Sequence, residues 1–235
     1  MGRSLARLFV ERGDWLVLLG RDEEELQRSV ADLTARAPAG VRVSHARCDL
    51  EHPETFGPAL ATAEQQLDSV DTVVVTAGAF ATQAQLEADP ALTQKVLTVD
   101  FANTVLFCEA ARKLLLSRGG GTLCAFSSVA GDRARKPVVL YGAAKAGLSA
   151  YLEGLDHTYR AQGLNTVCVK PGFVKTGMTE GLKPPPFAGE PDEVAQVVLR
   201  GIDAGTPVVY APPIWRAVMT AIRALPRFAM RRIGF

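Results

Sequence analysis

Short apolar runs alternate with longer amphipathic segments along the 235 residues of this chain. The short runs are rich in valine and leucine, as strands buried on both faces are. They occupy residues 15–19, 41–48, 70–75, 122–126, 166–170 and 207–210. The longer segments repeat apolar positions at helical spacing. They occupy residues 3–11, 23–35, 54–67, 93–116, 141–162 and 192–203. This alternation predicts an α/β fold with a Rossmann-type doubly wound parallel sheet, and the length predicts a single domain over 1–235.

Charge and cysteine content exclude several classes of protein. The chain has 26 Lys and Arg against 25 Asp and Glu, a balance that argues against nucleic acid as a partner. Its 4 cysteines form no Cys-x-x-Cys pair and its 3 histidines no ligand spacing, so no metal site is predicted. We expect reduced, buried cysteines in a cytoplasmic protein, and we find no signal peptide or membrane-spanning run.

The combination of Tyr141, Lys145 and Ser128 carries the most specific chemistry in the chain. Residues four apart on a helix share a face, so Lys145 is predicted beside the Tyr141 phenol. A neighbouring ammonium favours the phenolate and is expected to lower the tyrosine pKa. Ser128 follows an apolar strand, at the sheet edge where α/β proteins bind ligands. Together the three groups predict a general acid or base acting on a carbonyl or alcohol oxygen.

Other motifs occur in the order expected beside this set. Thr76-Ala77-Gly78 follows one strand, Asp49-Leu50 follows another, and Pro171-Gly172-Phe173-Val174-Lys175-Thr176 follows a third. With the Ser128, Tyr141 and Lys145 spacing, these motifs make the whole chain resemble the short-chain dehydrogenase/reductase family. The resemblance implies a nicotinamide-dependent oxidoreductase that works as a homo-oligomer.

The resemblance also assigns roles to residues. Ser128 would polarise the substrate carbonyl, Tyr141 would donate the proton, and Lys145 would hold the nicotinamide ribose. Cofactor contacts would come from Gly2, Arg21, Asp49, Leu50, Ala77, Gly78, Tyr141, Lys145, Pro171, Gly172, Val174 and Thr176.

Asp100 departs from the family pattern, which usually has asparagine at this position to support a proton-relay water. A carboxylate can accept a hydrogen bond from water as an amide oxygen does, so we place Asp100 in the catalytic set. Two alternatives stay open: Asn103, one turn later, takes the relay role, or Asp100 lies on the helix surface.

The start of the chain is the second departure. Gly2 aligns with the last glycine of the family's glycine-rich turn, and the family's first strand and earlier glycines are absent from this sequence. In the family that strand lies at the centre of the sheet, where its loss would leave backbone groups unpaired. We therefore expect the natural protein to begin upstream of Met1.

The residues after the second family strand indicate the cofactor. Gly20 stands where NAD-preferring members usually carry an acid, and Arg21 follows it. Arg21 could pair with a 2′-phosphate, which favours NADP(H) over NAD(H). The alternative is that Arg21 stacks on adenine or faces solvent.

The C-terminal segment 212–235 indicates the substrate class. It has five arginines among bulky apolar residues and no acidic residue. Such a segment suits an anionic membrane surface, although an oligomer interface or a helix that caps the core fits the pattern equally.

The segments 171–179, 209–213 and 225–227 are similar to the polyprenylphosphoryl-2-keto-ribose reductases, a branch of the family. The resemblance implies a lipid-linked ketone substrate and a location at the inner face of the membrane. A ketosphinganine-type lipid-ketone reductase, or a catalytically silent dinucleotide-binding or scaffold protein, are the alternatives.

Overall fold

The computed structural model describes residues 1–179 and 181–233, and all six predicted strands are present in them. Their bounds differ from the predicted runs by a few residues at most. The strands are β1 (Leu16–Gly20), β2 (Val43–Arg47), β3 (Thr72–Val75), β4 (Gly121–Phe126), β5 (Leu164–Pro171) and β6 (Val208–Ala211).

Helices separate the strands in the predicted alternation. They are α1 (Gly2–Arg12), α2 (Glu23–Arg36), α3 (Phe56–Leu67), α4 (Gln83–Ala88), α5 (Pro90–Leu97), α6 (Asn103–Ser117), α7 (Val139–Tyr159), α8 (Pro191–Asp203), α9 (Ile214–Ala224) and α10 (Arg227–Arg232). The predicted helix 93–116 is in fact α5 and α6 joined by a π-helical turn, Thr98–Ala102. The predicted tail segment 212–235 contains α9 and α10, and its residues 234 and 235 lie outside the described part of the chain.

Parallel pairing places the strand ends that carry the motifs at one edge. The strands β3, β4, β5 and β6 form one sheet in that order, and β1 and β2 form another. Phe126 at the end of β4 pairs with Val169 of β5, so Ser128 and Pro171 both follow at the same edge. This is the edge at which open α/β sheets place their ligands.

Helices cover both faces of the larger sheet, as a doubly wound fold requires. On one face, Cys124 and Phe126 pack with α1 and α8. On the other face, Leu123 and Ala125 pack with α3, α6 and α7. Successive residues of β4 thus enter opposite cores, because side chains alternate along a strand.

The described strands form two separate sheets. Among the described strands, β1 pairs only with β2 and β3 pairs on one side only, with β4. A cleft of 1610 Å³ separates β1 from β3, and α1 lies along it.

Helix α9, in the C-terminal segment, covers part of the core. Its Trp215 and Met219 are buried against Val129, with Tyr210 and Ile222 packed around them. The apolar face of α9 is therefore occupied within the molecule, as the core-capping alternative predicts. No described helix combines the length and apolar character needed to cross a bilayer.

Gly131 allows the loop after β4 to lie directly on α7, and this contact yields a prediction. A Cβ atom at Gly131 would stand 2.6 Å from the Lys145 carbonyl carbon and 2.7 Å from the Ala146 nitrogen, both rigid backbone. We expect Gly131→Ala to lower the free energy of unfolding by about 1–3 kcal/mol through overpacking. Urea denaturation monitored by circular dichroism measures this.

Gly154 provides the matched control on the same helix. No atom lies within 4 Å of a Cβ built there. Gly154→Ala should be neutral or should stabilise by up to about 1 kcal/mol, because alanine favours a helix over glycine. Equal effects of the two substitutions would contradict the packing described for Gly131.

Candidate active site

Lys145 lies buried at the centre of the site, with its ammonium held from two sides. Its Nζ donates a hydrogen bond to the Phe126 carbonyl oxygen at 3.2 Å. The same atom is 3.3 Å from Oδ1 of Asp100, and the two side chains are 5% and 0% exposed. A buried cation is tolerated only with such compensation, so β4 and the turn that carries Asp100 determine where Lys145 points.

The π-helical turn before α6 aims Asp100 inward. Asp100 Oδ1 also accepts a hydrogen bond from the Ala79 backbone N–H at 2.9 Å. Its Oδ2 is buried and has no hydrogen-bond partner among the described residues. A π-turn inserts an extra residue into a helix and is frequent at functional sites. The surface alternative for Asp100 is therefore wrong.

Asn103 points elsewhere. Its Nδ2 donates a hydrogen bond to the Leu50 carbonyl oxygen at 2.6 Å, which ties α6 to the loop after β2. The alternative that gives Asn103 the relay role beside Lys145 has no support in this geometry.

Tyr141 lies one turn before Lys145 on α7, as predicted. Lys145 Nζ is 5.7 Å from the centre of the phenol ring. Phe80 packs edge-on against the same ring, with 5.2 Å between the ring centres. Phe80 was not among the predicted site residues, since only its place two residues after Thr76-Ala77-Gly78 could have indicated it.

The pKa of Tyr141 moves opposite to the expected direction. Burial raises the pKa of this phenol, and the negative charge of Asp100 raises it further, while the neighbouring Ser128 hydroxyl acts the other way. The Lys145 ammonium lies closer to the Asp100 carboxylate than to the Tyr141 ring. The carboxylate therefore offsets the positive charge that was expected to favour the phenolate. Tyr141 is therefore a neutral phenol at physiological pH.

Burial also raises the pKa of the Asp100 carboxyl above its usual value of 3.8. The Lys145 charge and the Ala79 N–H oppose this shift without cancelling it. The carboxyl of Asp100 thus holds its proton to a higher pH than an exposed aspartate does.

Two adjacent serines have different roles in the structure. The Ser128 Oγ accepts a hydrogen bond from the Ala130 N–H at 3.1 Å at the start of a short 3₁₀ turn. The Ser127 Oγ donates to the Lys145 carbonyl oxygen at 2.8 Å and lies 2.7 Å from Ser149 Oγ. Ser127 therefore ties α7 to the end of β4, a role that the sequence did not reveal.

The cleft between the sheets collects half of the predicted cofactor residues. Those that line it are Gly2, Arg21, Asp49, Leu50, Ala77 and Gly78. A Cβ at Gly78 would be 2.7 Å from Asp100 Oδ1, so only glycine fits between this loop and the buried pair.

Arg21 and Lys95 stand at the mouth of this cleft with a shared partner. Arg21 is 3.3 Å and Lys95 is 2.7 Å from Oε1 of Glu51. Two cations face a single carboxylate, which leaves an excess of positive charge for an anion.

The predicted residues after β5 do not line this cleft. The Gly172 N–H donates to the Ala211 carbonyl oxygen at 3.0 Å, and Trp215 packs where a Gly172 side chain would be. Val174 is buried in the core that includes α8. The Thr176 N–H donates to Thr179 Oγ1 at 3.0 Å. Pro171 ends β5 and begins this loop.

Comparison with known proteins identifies the family. The family model for short chain dehydrogenases matches residues 1–186. This chain belongs to the short-chain dehydrogenase family. Its enzyme class is that of NAD(P)-dependent oxidoreductases.

Relatives and solved structures agree with this assignment. An uncharacterized oxidoreductase of Mycobacterium tuberculosis is 33% identical over 99% of this short-chain dehydrogenase and 92% of the relative. Carbonyl reductase family member 4 of Danio rerio is 29% identical, with 85% of each chain covered. Levodione reductase superposes with a TM-score of 0.80 at 22% identity, over 89% of this chain and 90% of that one. The last similarity shows the fold alone.

The raised pKa of Asp100 in this short-chain dehydrogenase gives a prediction. Above the unfolded value of 3.8, the native carboxyl keeps a proton that the unfolded chain has lost. The stabilisation from proton binding is therefore lost as pH rises through the native pKa. We expect the stability of the natural chain relative to Asp100→Asn to increase as pH falls from about 7 to about 4. Urea denaturation of both chains across this range measures it, and a constant or reversed difference would contradict the shift.

Proposed function

We propose that this chain reduces a ketone to an alcohol with a nicotinamide cofactor, NADP(H) being favoured. The observation that carries the proposal is the buried Lys145, held by Asp100 and the Phe126 carbonyl one helical turn from the Tyr141 phenol. Ser128 lies next to that phenol at the edge of the sheet. The four residues Ser128, Tyr141, Lys145 and Asp100 form the proposed catalytic set.

Tyr141 acts as the proton donor in the proposed reaction. Its raised pKa keeps the phenol protonated, which a general acid requires. The Ser128 hydroxyl donates a hydrogen bond to the ketone oxygen and orients it towards the phenol. As the carbonyl carbon gains a hydride, the Tyr141 O–H bond breaks and its proton forms the O–H bond of the alcohol. A bound nicotinamide supplies that hydride.

In the proposed reaction, Lys145 and Asp100 help Tyr141 to regain its proton after the transfer. The Lys145 ammonium stabilises the phenolate that remains on Tyr141. The free Oδ2 of Asp100 is the proposed anchor of the relay that returns a proton, because it is a buried acceptor without a partner. Its raised pKa suits an acid that exchanges protons nearer to neutral pH.

The residues of the cleft fit a dinucleotide. Asp49 and Leu50 would hold the adenine end, Ala77 and Gly78 the middle, and Lys145 with Tyr141 the nicotinamide ribose. Gly2, at the first turn of α1, offers backbone N–H groups for a phosphate. The loop of Pro171, Gly172, Val174 and Thr176 would close over the nicotinamide end from the far side of β4.

Removal of the Tyr141 hydroxyl tests the proposal. We expect Tyr141→Phe to lower kcat for ketone-dependent NADPH oxidation by at least about 100-fold, as loss of a general acid does, while NADPH binding persists. Tyr151→Phe is the matched control, because Tyr151 lies on the same helix but bonds to Glu109 at 2.8 Å. The control should keep its activity. Full turnover by Tyr141→Phe would refute the proposal.

Arg21 is the proposed determinant of cofactor preference. It lies at the cleft mouth in place of an acid, and its partner Glu51 is shared with Lys95. A 2′-phosphate there would accept charge-assisted hydrogen bonds from the guanidinium.

The matching test compares the two cofactors. We expect Arg21→Ala to weaken NADPH binding by about tenfold and NADH binding by much less, since only NADPH carries the 2′-phosphate. Fluorescence titration with each cofactor measures the two affinities. An equal loss for both would contradict the role of Arg21, and NAD(H) would then be the better assignment.

The substrate that we propose is an amphipathic ketone of the lipid-linked 2-keto-sugar type. Large apolar side chains are exposed on the segment after β5 and at the C-terminal end: Phe187 is 57%, Ile214 45% and Phe228 65% exposed. Trp215 Nε1 donates to the Phe187 carbonyl oxygen at 3.2 Å, so the backbone at Phe187 lies against the first turn of α9. The Arg133 guanidinium donates to the Leu225 carbonyl oxygen at 2.8 Å and joins the tail to the loop after Ser128.

This surface supports contact with an anionic membrane at the inner face, where a polyprenyl-phosphate ketone would be presented. A ketosphinganine-type ketone would need the same surface. The buried Lys145–Asp100 pair favours an active enzyme over a silent scaffold, because a buried charged pair is costly to keep without a use.

Liposome co-sedimentation tests the membrane contact. We expect the chain to bind vesicles that contain phosphatidylglycerol more strongly than neutral vesicles, and Phe187→Ser with Phe228→Ser to lose most of that binding, since exposed apolar side chains insert at the interface. Leu106→Ser is the control, because Leu106 on α6 is also a large apolar side chain, 52% exposed. Indifference to the double substitution would count against a membrane role.

A further inference from the structure

Asp132, Lys170 and Tyr210 form a second cluster of buried polar side chains, apart from the Lys145–Asp100 pair. Oδ1 of Asp132 is 2.6 Å from Lys170 Nζ, and the two side chains are 2% and 13% exposed. The Tyr210 hydroxyl donates a hydrogen bond to Asp132 Oδ2 at 2.8 Å. Both oxygens of the buried carboxylate therefore have a partner, which its removal from water requires.

The cluster joins three neighbouring strands at the edge of the sheet that carries the site. Lys170 of β5 and Tyr210 of β6 are paired in register near the ends of their strands. Asp132 lies in the loop after β4, four residues beyond Ser128. Hydrogen bonds to a charged group are short and strong, so this carboxylate holds the loop against both strand ends.

Tyr210 acts as a hydrogen-bond donor in this cluster. Burial, and next the hydrogen bond to Asp132, raises the pKa of Tyr210 to about 12. The phenol therefore keeps its proton at physiological pH, and the Asp132 carboxylate accepts the hydrogen bond.

A single 3₁₀ turn, Val129–Gly131, connects Asp132 to Ser128. The Gly131 N–H donates to the Ser128 carbonyl oxygen at 3.0 Å, and the Asp132 N–H donates to the Val129 carbonyl oxygen at 3.2 Å. The Ser128 Oγ accepts from the Ala130 N–H in the same turn. Because both end residues are bonded into the turn, a displacement of Asp132 also displaces Ser128.

We propose that Asp132 is a positioning residue for Ser128: its bonds to Lys170 and Tyr210 hold the turn that presents the Ser128 hydroxyl to Tyr141. The inference rests on the proposed function, in which Ser128 orients the ketone oxygen. Asp132, Lys170 and Tyr210 are not members of the proposed catalytic set, and they do not line the cleft that fits the dinucleotide.

NMR of the chain labelled with ¹³C at the tyrosine Cζ atoms tests the position of Ser128 without any turnover. The chain has four tyrosines, and the Tyr141 signal is the one that Tyr141→Phe removes. Ser128→Ala is the reference, because it deletes the hydroxyl beside the Tyr141 phenol. The test variants are Asp132→Ala, which removes both bonds of the cluster, and Tyr210→Phe, which removes one.

Asp156→Ala is the matched control. Asp156 also pairs with a cation, since its Oδ1 is 2.7 Å from Arg160, and its side chain is 17% exposed. It lies on α7 about 22 Å along the helix from Tyr141. The control removes the same functional group as Asp132→Ala at a place that does not contact the turn.

We expect Asp132→Ala to shift the Tyr141 signal in the same direction as Ser128→Ala does. Tyr210→Phe should give a smaller shift in that direction, because the ion pair with Lys170 remains. Asp156→Ala should leave the signal unchanged. If Asp132→Ala does not fold, Tyr210→Phe decides, and the absence of a shift in it overturns the inference.

Three further results would overturn the inference. The first is a Tyr141 signal that Asp132→Ala leaves in place. The second is an equal shift in Asp156→Ala, which would show a general effect of the lost charge. The third is a Tyr141 signal that does not respond to Ser128→Ala, since the contact on which the inference depends would then be missing.

Turnover provides a second, separate readout. A displaced Ser128 leaves the ketone oxygen poorly oriented, so Asp132→Ala should lower kcat for ketone-dependent NADPH oxidation by about tenfold or more. Unchanged turnover in this variant, where the natural chain is active, would overturn the inference. Absence of turnover in the natural chain would refute the proposed reaction alone, and the Tyr141 signal would still decide whether Asp132 positions Ser128.

Discussion

The ammonium of Lys145 is a positive charge inside the protein, and the geometry of the site follows from how that charge is compensated. The Phe126 carbonyl at the end of β4 and the Asp100 carboxylate face it from two elements. Both partners are needed, because burying a charge without a partner costs far more free energy than burying an unpaired polar group. These contacts therefore hold α7 against both the sheet and the π-helical turn before α6.

The same pair determines the protonation of its neighbours. The negative charge of Asp100 stabilises the Lys145 ammonium, and the same charge raises the pKa of Tyr141. An asparagine at this position would leave the ammonium with the Phe126 carbonyl but without a negative partner, which would favour the phenolate. In the proposed reaction, the carboxylate at position 100 therefore favours Tyr141 as the proton donor.

Much of this arrangement could be predicted from the sequence. The six strands, the helical spacing of Tyr141 and Lys145, and the place of Ser128 after β4 follow from periodicity and from the parallel sheet. The contacts of Asp100 could not be predicted, because they depend on a π-helical turn that moves this residue into the core. Local patterns do not show such a turn.

The direction of the Tyr141 pKa and the burial of the α9 face were also beyond the sequence. Both depend on distances between elements that are far apart in the chain: Asp100 to Lys145, and Trp215 to Val129. The amphipathic pattern of the tail fits a membrane surface and a protein core equally well, and only packing distinguishes the two.

A double-mutant cycle on Asp100 and Lys145, read as the free energy of unfolding at neutral pH, tests the central interaction most directly. The single variants Asp100→Leu and Lys145→Met should each lose about 3–5 kcal/mol, because each leaves one buried charge without its partner. The double variant should lose at least about 1 kcal/mol less than the sum of the two, because the charges are removed together. Additive losses would show that the two groups do not stabilise each other and would contradict the account.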